Sequence, residues 1–333
     1  TSTMRADLGV MISASHNPYE DNGIKLFGPD GFKMSDEIEE EIESKILLFM
    51  AEGSASVRVD SPDLGKVRRL EGVFGRYIES TKRCFPSDLT MKGMKIALDC
   101  AHGAAYRIAP TVFYELGAEI VTMGVDPDGI NINEACGATH TEALQKLVVD
   151  QSCDLGLAFD GDADRLIVVD EKGTKVDGDQ IMATIAEFMA SNNSLAQNTL
   201  VATIMSNLGM ERHLESKGIK TLRTKVGDRY VLEAMREQGL TVGGEQSGHL
   251  ILAEHATTGD GLAAGLQVAA QVIREGKKAS EVLNRFTPMP QLLKNARFNA
   301  DKVPLEMPEV QQGIADVEKQ LEGVGRLVIR KSG

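Results

Sequence analysis

The sequence contains few cysteines, and their spacing limits the kinds of site they can form. Its 333 residues include only four, Cys84, Cys100, Cys136 and Cys153, with no CxxC pair among them. Each lies in or near an apolar segment, so we expect small buried thiols instead of a disulfide framework or a clustered metal site. This pattern predicts a protein of the reducing cytoplasm.

Long hydrophobic runs are also missing, so the sequence predicts no membrane-spanning helix. No signal peptide opens the chain, and we expect no secretory targeting. Positive charge is scarce as well: 36 Lys and Arg stand against 49 Asp and Glu, for a net charge of −13. This excess of negative charge argues against nucleic acid or an anionic membrane as the main partner, although local basic groups can still bind a small anionic ligand.

The overall composition, with 42% hydrophobic and 26% charged residues, is typical of a soluble globular protein. A chain of this length has room for two or three domains and a sizeable core. It begins at Thr1 without an initiator Met and stops at Lys331-Ser332-Gly333, in what reads as a turn. We therefore expect a fragment of a longer protein, or a chain without its ends.

Strands and helices alternate along most of the chain, which predicts an α/β fold with largely parallel sheets and helices on their faces. Extended segments are predicted at 8–12 and 24–27, a helix from Ser35 onwards, and a linker rich in Gly, Ser, Asp and Pro at 53–66. Further strands are predicted at 94–100, 120–125, 155–159, 166–169, 200–204, 221–225 and 326–330. Further helices are predicted at 72–84, 106–116, 141–149, 179–190, 209–216, 230–237, 261–275 and 308–321.

The most informative stretch is Asp160-Gly161-Asp162-Ala163-Asp164-Arg165, which lies between two apolar runs that are predicted to be strands. Three carboxylates on one tight turn repel one another unless a positive charge lies among them. A hard divalent cation is the natural counter-charge, and Mg²⁺ prefers oxygen ligands. The alternative is a solvated acidic turn on the surface.

The same carboxylates also match the first ligand positions of an EF-hand loop, with Glu171 at the position of its last ligand. We reject that interpretation for two reasons. Arg165 occupies the position where the EF-hand loop needs Gly for its sharp turn. The flanking segments read as strands, whereas an EF-hand requires helices.

Three other loops carry residues suited to phosphate or sugar chemistry. Ser15-His16-Asn17-Pro18 follows a strand, so Ser15 could be a nucleophile and Lys25 a phosphate counter-charge, or they could be a turn residue and an exposed cation. The stretch 244–249 places Glu and Ser between glycines, which suits the hydroxyls of a sugar but also a plain Gly-rich hairpin. Arg330-Lys331-Ser332-Gly333 combines cations with a Ser-Gly turn, as in a phosphate cradle.

In this order, the four stretches resemble the motifs of the α-D-phosphohexomutase superfamily. The resemblance covers nearly the whole chain, and four ordered motifs are specific together although each alone is not. Within that superfamily the bacterial phosphoglucosamine mutase branch is the one that the chain resembles. The supporting stretches are 12–18, Gly28-Pro29-Asp30-Gly31, 225–230 and Gln246, where phosphomannomutase/phosphoglucomutase relatives more often carry Met.

The resemblance implies consecutive α/β domains with mixed, largely parallel sheets around a central cleft, each domain contributing one loop. On this chain it implies the C-terminal part of domain 1 at 1–66 with the phosphoserine loop, and domain 2 at 67–170 with the metal loop. Domain 3 would occupy 171–287 with the sugar-binding loop, and 288–333 would be the N-terminal part of domain 4. The first and fourth domains would then be incomplete.

The resemblance also implies a role for each motif residue. A serine carries the phosphoryl group, a histidine assists it, and cations surround the transferring phosphate. The implied catalytic residues are Ser15, His16, Lys25 and Arg165. The implied metal ligands are Asp160, Asp162, Asp164 and a phosphate oxygen on Ser15. The implied substrate contacts are Glu245 and Ser247 for the sugar, and Arg330, Ser332 and Gly333 for the non-reacting phosphate.

The implied function is the interconversion of glucosamine 6-phosphate and glucosamine 1-phosphate, on the route to UDP-N-acetylglucosamine and cell-wall precursors. It would proceed through phosphoserine and glucosamine 1,6-bisphosphate, with one Mg²⁺ per active site. The alternatives are a phosphomannomutase/phosphoglucomutase and a non-catalytic sugar-phosphate- or metal-binding protein. The expected partner is a small phosphosugar, with no nucleic acid and no membrane, and a homodimer is compatible with the sequence.

Overall fold

The structure, a computed structural model, describes residues 1–52, 61–296 and 303–330. Its strands are β1 Gly9–Ile12, β2 Ile24–Phe27, β3 Lys95–Asp99, β4 Glu119–Met123, β5 Leu155–Phe159, β6 Leu166–Asp170, β7 Lys175–Val176, β8 Thr199–Thr203, β9 Lys220–Thr224, β10 Val242–Gly244 and β11 Leu250–Leu252. Its helices are α1 Asp36–Glu52, α2 Val73–Lys82, α3 Ile108–Glu115, α4 Glu142–Asp150, α5 Gly178–Ser191, α6 Leu208–Ser216, α7 Asp228–Gln238, α8 Gly261–Glu275, α9 Ala279–Val282 and α10 Pro308–Leu321.

A five-stranded mixed sheet with the order β4-β3-β5-β6-β7 carries the acidic stretch. Strand β3 pairs in parallel with β4 and β5, and the β5–β6 hairpin is antiparallel, with Phe159 opposite Leu166. Every residue of β5 and β6 is buried, which explains the continuous apolar runs at 155–159 and 166–169. The turn of this hairpin is residues 160–165, so the three carboxylates lie at the end of two rigid, fully buried strands.

A four-stranded mixed sheet with the order β11-β10-β8-β9 carries the second Gly-rich stretch. Strand β8 pairs in parallel with β9 and β10, and β10 forms an antiparallel hairpin with β11, with Gly244 opposite Leu250. Near the start of the chain, β1 and β2 form an antiparallel ribbon in which Met11 faces Lys25. In all three cases the candidate loop directly follows a strand.

Helix α8 joins the two larger sheets into one hydrophobic core, because it packs against β5 and β6 of one sheet and β11 of the other. Asp260 caps its start by accepting a hydrogen bond from the Ala263 N–H at 2.9 Å, and Gly276 ends it with φ of 60°. Gly265 allows the helix to approach β5, since a Cβ there would lie 3.2 Å from Leu157. The sheets and their loops are therefore held in a fixed relation by packed side chains.

Most predicted elements are confirmed, and the final predicted strand is wrong. Residues 325–330 form no strand or helix within the described ranges. A strand requires a neighbouring strand to pair with, and sequence alone does not reveal whether one is present. Arg326 instead donates from its guanidinium to the Ser206 carbonyl at 2.7 Å. Of the predicted linker at 53–66, residues 53–60 lie outside the described ranges.

Two further predictions can be compared with the described residues. All four cysteines are free and buried, as expected from their apolar surroundings. None of the helices in the described ranges is long and apolar enough to cross a membrane.

Candidate functional site

The acidic turn between β5 and β6 forms a compact cluster of carboxylates. One oxygen from each of Asp160, Asp162 and Asp164 lies within 4.8 Å of the others, the kind of group that can hold a metal ion. Asp160 is completely buried, and the side chains of Asp162 and Asp164 are 3% and 17% exposed. Oδ1 of Asp162 and Oδ1 of Asp164 are buried without a hydrogen-bond partner. Unpaired buried oxygens at this spacing fit a hard cation.

Ser15 lies against this cluster although it is 145 residues away in sequence. Its Oγ donates a hydrogen bond to Asp160 Oδ2 at 2.9 Å. The Ser15 N–H donates to Ser13 Oγ at 2.9 Å, and that hydroxyl donates to Asp162 Oδ2 at 2.7 Å. The Ser15 backbone is left-handed, with φ of 53°. Strained backbone of this kind is often found at functional sites, and here it directs the hydroxyl to a carboxylate.

Two cations lie against the cluster. Lys25 Nζ lies 2.7 Å from Asp162 Oδ2 and 3.6 Å from Asp164 Oδ2. Arg165 Nε lies 3.8 Å from Asp160 Oδ2 and 4.0 Å from Asp164 Oδ1. Both cations are mostly buried, so their charges are less screened than on an open surface. Five charged side chains of both signs therefore meet around one point.

The three carboxyls differ in how readily they ionise. Burial, and then the charges of Asp164 and Asp162, raise the pKa of Asp160 to about 7. Burial also acts to raise the pKa of Asp162, but the hydrogen bonds from Lys25 and Ser13 outweigh it and hold that pKa below the usual value. For Lys25, burial acts to lower the pKa of the amine, but the hydrogen bond to Asp162 and the negative charges of the surrounding carboxylates together raise it. The pKa of Asp160 is thus raised first by burial and then by two neighbouring negative charges, which together outweigh the opposing effects of the Ser15 hydrogen bond and the Arg165 charge.

His16 lies next to Ser15 and faces the same group of charges. Burial, followed by the positive charge of Arg165, lowers the pKa of its imidazole, so the neutral form is favoured near neutral pH. Its Nδ1 is buried and has no hydrogen-bond partner. A neutral imidazole with an unpaired nitrogen can accept a proton beside the serine hydroxyl.

His249 also belongs to this site, although sequence reasoning did not assign it a role. It is 3% exposed, and both its ring nitrogens lack hydrogen-bond partners. Its Nε2 lies 3.7 Å from Asp164 Oδ2 and 3.9 Å from Asp228 Oδ2. The signal that could have revealed it is its position at the end of the Gly-rich stretch at 244–249. Its burial among carboxylates depends on how the two hairpins meet.

The Gly-rich hairpin is hydrogen-bonded directly to the acidic hairpin. The Leu166 N–H donates to the Gly248 carbonyl at 2.9 Å, and Arg165 and His249 form an isolated antiparallel bridge. A Cβ at Gly248 would lie 2.2 Å from the Leu166 carbonyl oxygen, and its φ is 93°. Glycine is therefore required for this close approach.

Glu245 and Ser247 lie side by side on the Gly-rich hairpin. Glu245 Oε1 accepts a hydrogen bond from the Gly227 N–H at 3.0 Å, and Ser247 Oγ lies 3.5 Å from Glu245 Oε2. Between them, Gln246 turns the other way and donates to Asp177 Oδ2 at 3.1 Å, at the start of α5. The structure thus places a carboxylate and a hydroxyl side by side on a hairpin whose backbone is hydrogen-bonded to the acidic hairpin.

The predicted phosphate cradle can be described only in part. Arg330 is exposed and makes no ion pair or hydrogen bond with the described residues. Ser332 and Gly333 lie outside the described residues. The structure therefore brings together nine of the predicted site residues, on the β1–β2 ribbon, the acidic turn and the Gly-rich hairpin. These are Ser15, His16, Lys25, Asp160, Asp162, Asp164, Arg165 and, on the adjoining hairpin, Glu245 with Ser247 beside it.

Gly103 offers a test of how tightly this arrangement is packed. A Cβ on Gly103 would lie 2.2 Å from the Gly161 carbonyl oxygen, which also accepts a hydrogen bond from the Ala104 N–H at 2.8 Å. Gly103→Ala should therefore displace the acidic turn, destabilise the protein by ~1–3 kcal/mol and lower kcat/KM of the full-length protein ~10-fold or more. Thermal unfolding and steady-state kinetics measure these effects.

The matched control is Gly75→Ala in helix α2, where a Cβ would meet no atom within 4 Å. That change should stabilise the helix by ~0.5–1 kcal/mol without altering activity. If Gly103→Ala behaved like the control, the acidic turn would not be held as tightly as the contacts indicate.

The chain is similar to several known proteins. The sequence matches three consecutive parts of one family, described as phosphoglucomutase/phosphomannomutase alpha/beta/alpha domains I, II and III, at residues 1–48, 75–173 and 177–289. Two curated relatives carry the name phosphoglucosamine mutase. One, from Paramagnetospirillum magneticum, is 57% identical, and one, from Rhizobium johnstonii, is 58% identical. Each match covers 100% of this chain and 73% of the relative.

Solved structures show the same fold. A phosphoglucomutase/phosphomannomutase family protein from Burkholderia thailandensis superimposes with a TM-score of 0.70 at 26% identity, over 85% of this chain and 59% of that one. N-acetylphosphoglucosamine mutase from Aspergillus fumigatus, solved with GlcNAc-6P and magnesium, gives a TM-score of 0.64 at 20% identity, over 94% of this chain and 81% of that one. The chain belongs to the phosphoglucomutase/phosphomannomutase family, within the α-D-phosphohexomutase superfamily.

Proposed function

We propose that the full-length protein is a phosphoglucosamine mutase, which interconverts glucosamine 6-phosphate and glucosamine 1-phosphate. The observation that carries this proposal is the hydrogen bond from Ser15 Oγ to Asp160 at the edge of the carboxylate cluster. It joins a nucleophile to a metal-binding group, which is the combination that phosphoryl transfer needs. The curated relatives that support the substrate are 57% and 58% identical over the whole chain.

In this proposal each turnover contains two phosphoryl transfers, of two different phosphoryl groups. Phospho-Ser15 first transfers its phosphoryl group to the free hydroxyl of the sugar monophosphate, which produces glucosamine 1,6-bisphosphate. The bisphosphate turns round in the site, and Ser15 Oγ then accepts the other phosphoryl group, which releases the product. Each step breaks one P–O bond and forms another, so no oxidant or further co-reactant is required.

The residues around Ser15 are suited to hold a magnesium ion. Asp160, Asp162, Asp164 and a phosphate oxygen on Ser15 would be its ligands, and the unpaired Oδ1 atoms of Asp162 and Asp164 fit that role. When bound, Mg²⁺ would supply positive charge against the transferring phosphoryl group. Because burial and neighbouring carboxylates raise the pKa of Asp160 to about 7, a cation should favour its ionised form.

The protein's own groups would neutralise and orient the phosphoryl group. Lys25 and Arg165 lie at the edge of the cluster and can donate to phosphate oxygens as these move between Ser15 and the sugar. The attacking sugar hydroxyl must lose its proton at the same time. His16 Nδ1 and the ring of His249 are unpaired nitrogens next to the cluster, and either can take that proton.

The Gly-rich hairpin would bind the sugar. The carboxylate of Glu245 can accept from two sugar hydroxyls, and Ser247 can donate or accept. Arg330, Ser332 and Gly333 would hold the phosphate that does not react. These sugar and phosphate contacts must accept the bisphosphate in both orientations, because each of its two phosphates must in turn reach Ser15.

We assign these contacts to four domains with boundaries at 1–66, 67–170, 171–287 and 288–333. The free buried thiols favour a cytoplasmic protein.

The substrate preference tests this assignment. The experiment compares kcat/KM of the full-length protein for glucosamine 6-phosphate, glucose 6-phosphate and mannose 6-phosphate. We expect glucosamine 6-phosphate to be preferred ~10-fold or more, because hydrogen bonds to an amine are lost with the other two sugars. A clear preference for mannose or glucose 6-phosphate would instead favour a phosphomannomutase/phosphoglucomutase. No turnover of any of them would favour a non-catalytic binding protein.

A further inference from the structure

A loop of the five-stranded sheet contacts the Ser15 loop through one buried side chain, that of Asn133. Its amide nitrogen donates to the Ser15 carbonyl oxygen at 3.0 Å and to the Asn17 carbonyl oxygen at 2.9 Å. Both neighbours can only accept hydrogen bonds, so the nitrogen of the amide must face them. The residue is 8% exposed. One side chain therefore ties down the backbone on both sides of His16.

Asn133 is held in place by its own surroundings. Its backbone N–H donates to the Ala101 carbonyl at 2.9 Å. Its backbone is left-handed, with φ of 59°, a conformation that Asn adopts more readily than most residues. Gly161 of the acidic turn packs against it: a Cβ there would lie 2.8 Å from Asn133 Nδ2 and 2.5 Å from the Ser15 carbonyl oxygen. Three loops thus meet at a contact that has no room for another side chain.

The Ser15 loop needs this kind of support. Its serine has a left-handed backbone, with φ of 53°, and such strain persists only where neighbouring contacts hold it. Among the described residues, the hydrogen bond from Asn133 is the one that the Ser15 carbonyl accepts. On the other side of the same residue, Oγ lies 2.9 Å from Asp160 Oδ2. Release of the carbonyl would let the hydroxyl turn away from the carboxylate cluster.

We infer that Asn133 is a positioning residue for phosphoryl transfer. It acts through the carbonyls of Ser15 and Asn17 and keeps Ser15 Oγ against Asp160, without touching the reacting atoms. The inference rests on the proposed function and adds to it a residue outside all four sequence motifs. Aspartate at this position would keep the size of the side chain but replace the donor with an acceptor, so both carbonyls would be repelled.

The test compares Asn133→Asp with Asn131→Asp in the full-length protein. Asn131 lies two residues away in the same loop, and within the described part of the chain its side chain hydrogen-bonds to the backbone of Asp126 and Asp128. We expect kcat of Asn133→Asp to fall ~10²-fold while KM for the sugar phosphate changes little, because the nucleophile and not the sugar loop is displaced. Asn131→Asp should keep both constants near the wild-type values.

Hydrogen exchange provides a second measurement that does not depend on turnover. In Asn133→Asp, the peptide that contains Ser15 should exchange faster, while the rest of the chain should match Asn131→Asp. If the aspartate variant does not fold, Asn133→Ala takes its place, with the same split between kcat and KM. The inference would be overturned if the Asn133 and Asn131 variants had equal kcat values and equal hydrogen-exchange rates at the Ser15 peptide. A wild-type protein without mutase activity would refute the proposed function, while the exchange comparison would still decide whether Asn133 holds the loop.

Discussion

Replacing Ser15 with Ala should reduce turnover of the full-length protein by ~10⁴-fold or more and leave its fold unchanged. The serine oxygen is the atom to which we assign both phosphoryl transfers, and Ala leaves no atom to carry the group. The hydroxyl makes one hydrogen bond, to Asp160 at 2.9 Å, so its loss should have a small effect on stability. Steady-state kinetics with glucosamine 6-phosphate, together with thermal unfolding, measure both quantities.

Ser191→Ala is the matched control for this substitution. Ser191 is exposed, and its Oγ donates to the Phe188 carbonyl within the last turn of α5. That variant should retain wild-type turnover. A Ser15→Ala protein that kept turnover close to that of the control would refute the phosphoserine assignment.

Replacing Asp160 with Asn should weaken magnesium binding and also stabilise the metal-free protein. Burial and the charges of Asp164 and Asp162 raise the pKa of Asp160 from 3.8 to about 7 in the folded state. The unfolded chain releases this proton first, so the metal-free protein loses stability as pH rises from 3.8 to about 7. Each unit of pKa difference corresponds to about 1.4 kcal/mol. At pH 8 the uncharged Asn should therefore make the metal-free protein more stable, by ~2 kcal/mol or more.

The same substitution should have the opposite effect on function. With one ligand and one negative charge fewer, the cluster should bind magnesium weakly, and turnover should fall ~10²-fold or more. Added Mg²⁺ should raise the unfolding temperature of the wild-type protein and have little effect on the variant, because ligand binding stabilises only the form that binds.

Asp150→Asn, at the exposed end of α4, is the matched control and should change neither property. Unfolding scans at pH 5 and pH 8, with chelator and with Mg²⁺, separate the two effects. An Asp160→Asn protein that was less stable than wild type without metal at pH 8 would contradict the account of charge repulsion in the cluster.

The acidic hairpin could be predicted almost completely from the sequence. Strands β5 and β6 are buried on both faces, so each is a continuous apolar run, and the residues between them form the turn. Their periodicity and length are local properties. The position of Ser15 next to Asp160 is not local, because the two residues lie 145 positions apart. The order of the motifs and the resemblance to a family suggested this contact. No single residue pattern could have predicted it.

Asn133 and His249 show why the rest of the site could not be predicted. The Asn133 loop contains Asn, Asp and Gly, residues that are common in any turn, and its role arises from carbonyls more than a hundred positions earlier. His249 becomes a buried, unpaired imidazole only because the Gly-rich hairpin bonds to the acidic hairpin at Leu166 and Gly248. The incorrectly predicted strand at 326–330 has the same origin, since strand pairing depends on a partner elsewhere in the chain.

The most direct test of the account is the intact mass of the full-length protein before and after phosphatase treatment, with the modified residue mapped. We expect the active protein to carry one phosphoryl group on Ser15. Phosphatase should remove this group and the activity together, and glucosamine 1,6-bisphosphate should restore both. Full activity in a protein that carries no phosphate on Ser15 at any stage of this cycle would contradict the central claim.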